Sequence, residues 1–240
     1  MHRFLAPDLP HEGALVSLAE DEARHLTQVL RLSIGEDVRV FDGRGREHDA
    51  RVENAGRLRV ELRIGRATAA APEPPTAITL AAALLKGDKF DDVVRDAAMM
   101  GVRTIQPIVT ARTEVPAARA GSVGRLDRWR RVAISSTKQC GRAVLVDVNP
   151  PAGFDEALSG LPRPWIVLAE PATGQEGDAP PQAPAEATLL VGPEGGWAAE
   201  EIDRLRSAGA IFMRLGGRTL RADAAPLVAL SVLLHEWHCL

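Results

Sequence analysis

Residues 188–234 state one pattern twice, and that repetition restricts the fold more than any other feature of the chain. A short apolar run, TLLV at 188–191, stops at Gly192-Pro193, and an Ala/Glu-rich segment of helical composition over 198–208 closes at Gly209. A second apolar run at 211–215 stops at Gly216-Gly217 and leads into an apolar helical stretch over 224–237. Two strand–loop–helix units within about one βαβ length predict a parallel α/β sheet. Glycine at the loops tolerates positive φ and leaves no Cβ between backbone and ligand. In a parallel sheet both loops fall at the carboxyl ends of strands, where ligands settle. Glu194, Arg218, Arg221 and Asp223 lie in or just after these loops, although turn chemistry alone requires no ionisable group there. The stretch therefore reads as a ligand site rather than as punctuation between elements.

Upstream, the same alternation begins at Ile78. ITLAAALL predicts a buried strand, Asp88 can cap a helix that closes at Gly101, and residues 104–109 predict the next strand. A helix over 124–137 and strands at 144–148 and 165–169 complete the α/β part. The first 70 residues have a different period. Val38 and Val40 alternate with charged neighbours, DGRG at 42–45 makes a turn, and RLRVELRI at 57–64 alternates strictly. That pattern predicts a half-exposed sheet curled into a small β-barrel with an arginine-studded outer face. Its one helix starts from a capping box, Ser17 to Glu20, and carries Ala23, Leu26, Val29 and Leu30 inward, with His25, Gln28 and Arg31 beside the other face. The proline-rich ATAAAPEPPTA at 67–77 separates the parts, so the expected division is 1–70, a linker at 71–77, and 78–240.

Composition excludes several classes. With 45% hydrophobic residues the 240-residue chain can bury a proper core, and a net charge of −3 confines any nucleic acid contact to local patches. No apolar run approaches the ~18 residues of a membrane span, and the N-terminus lacks an apolar signal core, so a soluble cytoplasmic protein is expected. Cys140 and Cys239 form no CxxC pair, and His235, His238 and Cys239 lack a fourth ligand, so no metal site is assigned. RLDRWRR at 125–131 reads as a solvated face anchored by Trp129. Residues 170–184 predict a surface loop or lid, with Leu168, Ala169 and Glu170 bordering the same pocket as the two glycine loops. The first strand of the α/β part ends in LLKGDK rather than GxGxxG, and no Walker A sequence occurs, which argues against a dinucleotide or classical methyltransferase site.

LLVGPEGGW at 189–197 with LGGRTLRADAA at 215–225 resembles the paired motifs of the 16S rRNA (uracil(1498)-N(3))-methyltransferases, members of the SPOUT class of knotted α/β enzymes. Further segments are similar in the same order: RF at 3–4, HLTQVLR at 25–31, LLKGDK at 84–89, GVRTIQPIVTART at 101–113 and KQCGR at 138–142. The resemblance implies a PUA-like RNA-binding domain followed by a SPOUT domain with a trefoil knot, a homodimer, S-adenosyl-L-methionine as cofactor, and 16S ribosomal RNA in the small subunit as partner. It implies a cofactor pocket built from Leu168, Ala169 and Glu170, from Val191, Gly192, Pro193, Glu194, Gly195 and Gly196, and from Leu215, Gly216, Gly217, Arg218, Leu220 and Arg221. It assigns RNA contacts to Arg3, His25 and Arg31. Arg221 is the first choice for the cation that stabilises the uracil anion. Arg3 can reach the RNA, and Glu194 and Asp223 can orient the arginines or accept a proton.

Two departures stand out. Asp223 occupies a position where the family usually carries Glu, which questions its reach, and Asp96 and Met99 replace a Lys and Glu common on the helix before Gly101. Two alternatives stay open: a SPOUT methyltransferase acting at another RNA position, and an inactive RNA-binding or ribosome-assembly protein of the same fold.

Overall fold

The computed structural model describes residues 1–56, 59–115, 122–170, 177–178 and 181–239. Arg57 and Leu58 of the predicted 57–64 strand, and most of the 170–184 loop, lie outside the described residues. The chain divides into two compact units, the first Met1–Glu73 with Thr137–Leu145, the second Pro74–Ser136 with Val146–Leu240. The sequence suggested the break in the proline-rich stretch but not the return of 137–145 to the first unit.

In the first unit β1 (Arg3–Leu5) pairs in parallel with β3 (Asp37–Phe41), and β3, β4 (Glu47–Ala55), β5 (Val60–Thr68) and β2 (Leu15–Ser17) follow in antiparallel order. The result is one curled sheet whose order is β1-β3-β4-β5-β2, with register shifts between His48 and Ala50 and between Val52 and Asn54 on β4. Such bulges sharpen twist and let a small sheet wrap its core. Val38, Val40, Val52, Val60, Leu62 and Ile64 face inward, as the period-2 pattern requires, and Phe4, Ala23 and Leu26 join them.

The helix differs from expectation. It starts at Glu20 without a side-chain cap, runs as α1 (Glu20–Arg24), and widens into a π-helical turn over His25–Val29, in which the Leu30 N–H reaches the His25 carbonyl at 3.0 Å. The extra residue per turn rotates Val29 out of the core, where it is 67% exposed, while Leu26 stays buried. Arg31 then adopts a left-handed φ of 57° and ends the helix, with Leu32 N–H bonded to the Leu26 carbonyl at 3.0 Å.

The second unit is a parallel sheet of order β12-β10-β11-β6-β7-β8, made of β6 (Ala77–Ala83), β7 (Thr104–Val109), β8 (Asp147–Val148), β10 (Trp165–Leu168), β11 (Glu186–Val191) and β12 (Ile211–Met213), with β9 (Ala152–Gly153) also on β7. Every pairing is parallel. Ile78, Leu80 and Ala82 of β6 pack with α2 (Lys89–Met99), α3 (Val123–Cys140) and α6 (Ala225–Glu236), while Ala81 and Ala83 face the side of α4 (Phe154–Gly160) and α5 (Ala199–Ser207). Burial on both faces explains why ITLAAALL is apolar without alternation. Trp129 is a core residue, 4.7 Å from the Phe90 ring between centroids, so it serves as the anchor of its helix. The predicted 144–148 strand is split: Val144 bridges Gly43 in the first unit, and Asp147–Val148 alone joins the large sheet. Among the described residues no helix is long and apolar enough to cross a membrane.

Candidate active site

The chain leaves β6 toward β7 and β8, then returns to build β10, β11 and β12 on the other side. Because β10 inserts between β11 and β12, the carboxyl ends of those three strands are neighbours, and the loops after them converge. This is the crevice position at which open parallel sheets hold ligands. The loops enclose a cavity of about 260 Å³. Its walls are Leu168, Ala169 and Glu170 after β10, Val191, Gly192, Pro193, Glu194 and Trp197 after β11, and Leu215, Gly216, Arg218, Thr219, Leu220, Arg221, Ala222, Asp223 and Ala225 from the last loop and helix start, with Lys89 from α2.

Packing shapes each loop. The Trp197 indole donates to the Leu168 carbonyl at 3.2 Å, tying the β11 loop to the end of β10, and its ring lies where a Cβ on Gly192 would sit 3.2 Å away. Gly196 has φ +69°, a conformation that favours glycine, and a Cβ there would come within 2.6 Å of the Glu170 carboxylate, which would have to swing aside. Buried Glu201 holds the loop from behind: one oxygen accepts the Ala198 N–H at 2.9 Å and the other the Ala111 N–H at 2.8 Å. Arg112 donates to the Gly195 carbonyl at 2.9 Å. In the last loop Gly216 takes φ +81°, and the Arg221 carbonyl accepts the N–H groups of Ala224 and Ala225 at 3.0 and 2.9 Å, where α6 begins.

Arg221 donates through Nε and Nη2 to the two oxygens of Asp223, at 3.0 and 2.7 Å. The shorter carboxylate therefore reaches its arginine in a two-pronged grip despite the missing methylene. That hydrogen bonding lowers the Asp223 pKa, and the same pair raises that of Arg221, whose side chain is 75% exposed at the cavity rim. Glu194 receives the Lys89 ammonium at 3.1 Å and the Lys86 N–H at 3.3 Å. Burial works to raise its pKa, but its own backbone N–H, Lys89 and Lys86 outweigh that and lower it. Both carboxylates are thus held ionised. Asp96, on α2, is bonded by Arg95 at 2.8 Å, so that departure brings a different ion pair, while Met99 is partly exposed.

Of the residues the sequence assigned to the cofactor, twelve of the fifteen line the cavity; Gly195, Gly196 and Gly217 do not, the first two acting through loop shape. Lys89, Trp197, Thr219, Ala222 and Ala225 were not singled out. Lys89 had a sequence signal, since the chain holds only three lysines and two of them, Lys86 and Lys89, lie in LLKGDK.

Arg3, expected at the RNA, has its donors committed within the first unit. Its Nε and Nη2 bond Glu47 at 3.0 and 2.9 Å, Nη1 bonds the carbonyls of Thr137 and Lys138 at 3.0 Å each, and Nη2 also bonds the Arg142 carbonyl at 2.8 Å. A guanidinium has five N–H donors, and all five are used. His25 is half-buried, with its ring edge-on to Phe4 at 6.2 Å, and Arg31 is exposed.

Residues 72–234 match the family model described as an RNA methyltransferase domain, and residues 18–65 match the RNA methyltransferase PUA domain. Ribosomal RNA small subunit methyltransferase E of Mycobacterium tuberculosis is 31% identical over 245 residues, covering 98% of this chain and 92% of its own length. The chain belongs to the ribosomal RNA small subunit methyltransferase E family. The family's Neisseria gonorrhoeae member, solved bound to S-adenosyl methionine, superposes with a TM-score of 0.89 at 33% identity over 99% of this chain and 98% of that one. A Legionella pneumophila protein solved with the same cofactor gives a TM-score of 0.90 at 30% identity, covering 97% and 96%.

Proposed function

We propose that this enzyme uses S-adenosyl-L-methionine to methylate N3 of one uridine, uracil 1498, of 16S ribosomal RNA, in the cytoplasm. The observation that carries the reading is the three-loop cavity with Arg221 clamped by Asp223 at its rim, in a chain aligned over nearly its whole length with cofactor-bound relatives. The residues suit the cofactor: Leu168, Val191, Leu215 and Leu220 offer apolar walls to an adenine, and the glycine loops offer backbone at close approach. When bound, the cofactor supplies an electrophilic methyl group on sulfur.

The base must lose its N3 proton as the N3–CH3 bond forms and the S–CH3 bond breaks. Charge then spreads onto the pyrimidine oxygens, and the Arg221 guanidinium at the rim stabilises it. Asp223 holds that guanidinium in one orientation, so little reorganisation is left for the reaction. A general base works best with a pKa near the operating pH, and Asp223 and Glu194 are both shifted the other way. Their role here is to hold cations, and the proton leaves to water. The two-pronged Arg221–Asp223 contact counts against the inactive alternative so far as that rested on Asp223.

The same reading includes a trefoil knot in the second unit and a homodimer. α6 is apolar around its circumference: Ala229, Leu230, Leu233 and Leu234 are buried in the core, while Leu227, Val228 and Val232 are only partly covered. A helix apolar on every side belongs in an interior, and a second copy supplies the missing cover.

The test is transfer of labelled methyl to small ribosomal subunits lacking the modification, with nucleoside analysis. Wild type should yield N3-methyluridine and Arg221→Ala should lose about 100-fold in kcat. A different methylated nucleoside would move the enzyme to another RNA position.

A further inference from the structure

Lys89 stands at the start of α2 and contributes to the wall of the cavity formed by the three loops. Its ammonium bonds Glu194 at 3.1 Å, and Glu194 is fixed in turn by the Lys86 N–H at 3.3 Å. The intervening turn depends on Gly87, whose φ is +64°. An ammonium has three donors, and among the described residues Lys89 commits one, leaving two for a ligand. The side chain is 40% exposed, so those donors remain accessible from the cavity. Arg221, the other fixed cation of the wall, already gives two of its nitrogens to Asp223.

Lys89 and Glu194 thus present a cation and an anion side by side, the complement of an α-amino acid head group. S-Adenosyl-L-methionine carries one anionic group, its α-carboxylate, and next to it an ammonium; its sulfonium repels a lysine. Resting on the cofactor reading above, we infer that Lys89 is the receptor for the cofactor's α-carboxylate, with Glu194 beside it for the α-ammonium. Lys89 is thereby a cofactor-specificity residue: it selects the amino acid tail and leaves adenosine recognition to the loops.

Calorimetric binding of S-adenosylmethionine and of decarboxylated S-adenosylmethionine to wild type, Lys89→Met and Lys89→Arg tests this. Lys89→Met should weaken the intact cofactor by roughly 10-fold to 100-fold, the size expected of a charge-assisted hydrogen bond, and leave the decarboxylated form within about twofold. Lys89→Arg should recover most of the loss. Equal weakening of both ligands would mean that Lys89 merely shapes the wall, and unchanged binding of both would remove it from the site; either result overturns the inference. Failure of wild type to bind either ligand would instead overturn the cofactor reading, and this inference with it.

Discussion

The guanidinium of Arg3 has 9% of its side chain exposed, and its partner Glu47 has 1%. Such a pair, with every donor used, holds the end of α3 and the following turn against β1 and β4 inside the first unit. Removing one partner strands a buried charge, so Arg3→Ala should cost about 3 kcal/mol or more in urea unfolding. RNA affinity measured below the transition should change little; weakened RNA binding at unchanged stability would reinstate Arg3 as an RNA contact. Arg221 is the opposite case, exposed itself although its partner Asp223 is half-buried, so its removal should alter rate far more than stability. The two arginines are indistinguishable by residue type, and only their surroundings separate them: the donors of one are all spent inside the first unit, while the other stands exposed at the cavity rim.

At the scale of elements, the π-helical turn His25–Val29 sets which side chains the first unit turns outward. It places His25 beside Phe4 and Lys138, where burial first, then Lys138 and His2, lower its pKa below 6.5, against the opposing pull of Glu22. With the folded value depressed, the unfolded chain binds the proton more readily, and stability rises with pH across the window. His25 therefore adds no penalty above pH 6.5 and destabilises progressively as pH falls below it. Urea midpoints between neutral pH and about pH 5 should decline for wild type and decline less steeply for His25→Gln; parallel slopes would show that other groups carry the effect. The site loops show the same dependence on elements. Glu201, on α5, bonds both Ala111 and Ala198, so a helix behind the sheet decides where the β11 loop stands.

For the whole molecule, the partly covered outer face of α6 predicts self-association. Val228→Glu, on a residue 37% exposed, should convert a dimer to a monomer in light scattering while each chain stays folded. A monomeric wild type would remove the dimer from the proposal. The residues alone carried the alternating sheet, the strand–helix succession, the glycine loops and most of the cavity wall, because periodicity and backbone freedom are local properties. They could not carry strand order: β12 pairs with β10 rather than with β11, its predecessor in the chain, so β10 lies between the two, and that insertion is what brings the three loops together. Nor could they place Lys89, about 100 residues before Glu194 in the chain, or show that Arg3 has no donor to spare. Those facts depend on which distant groups meet and bury one another, and such long-range contacts exist only once the chain has packed.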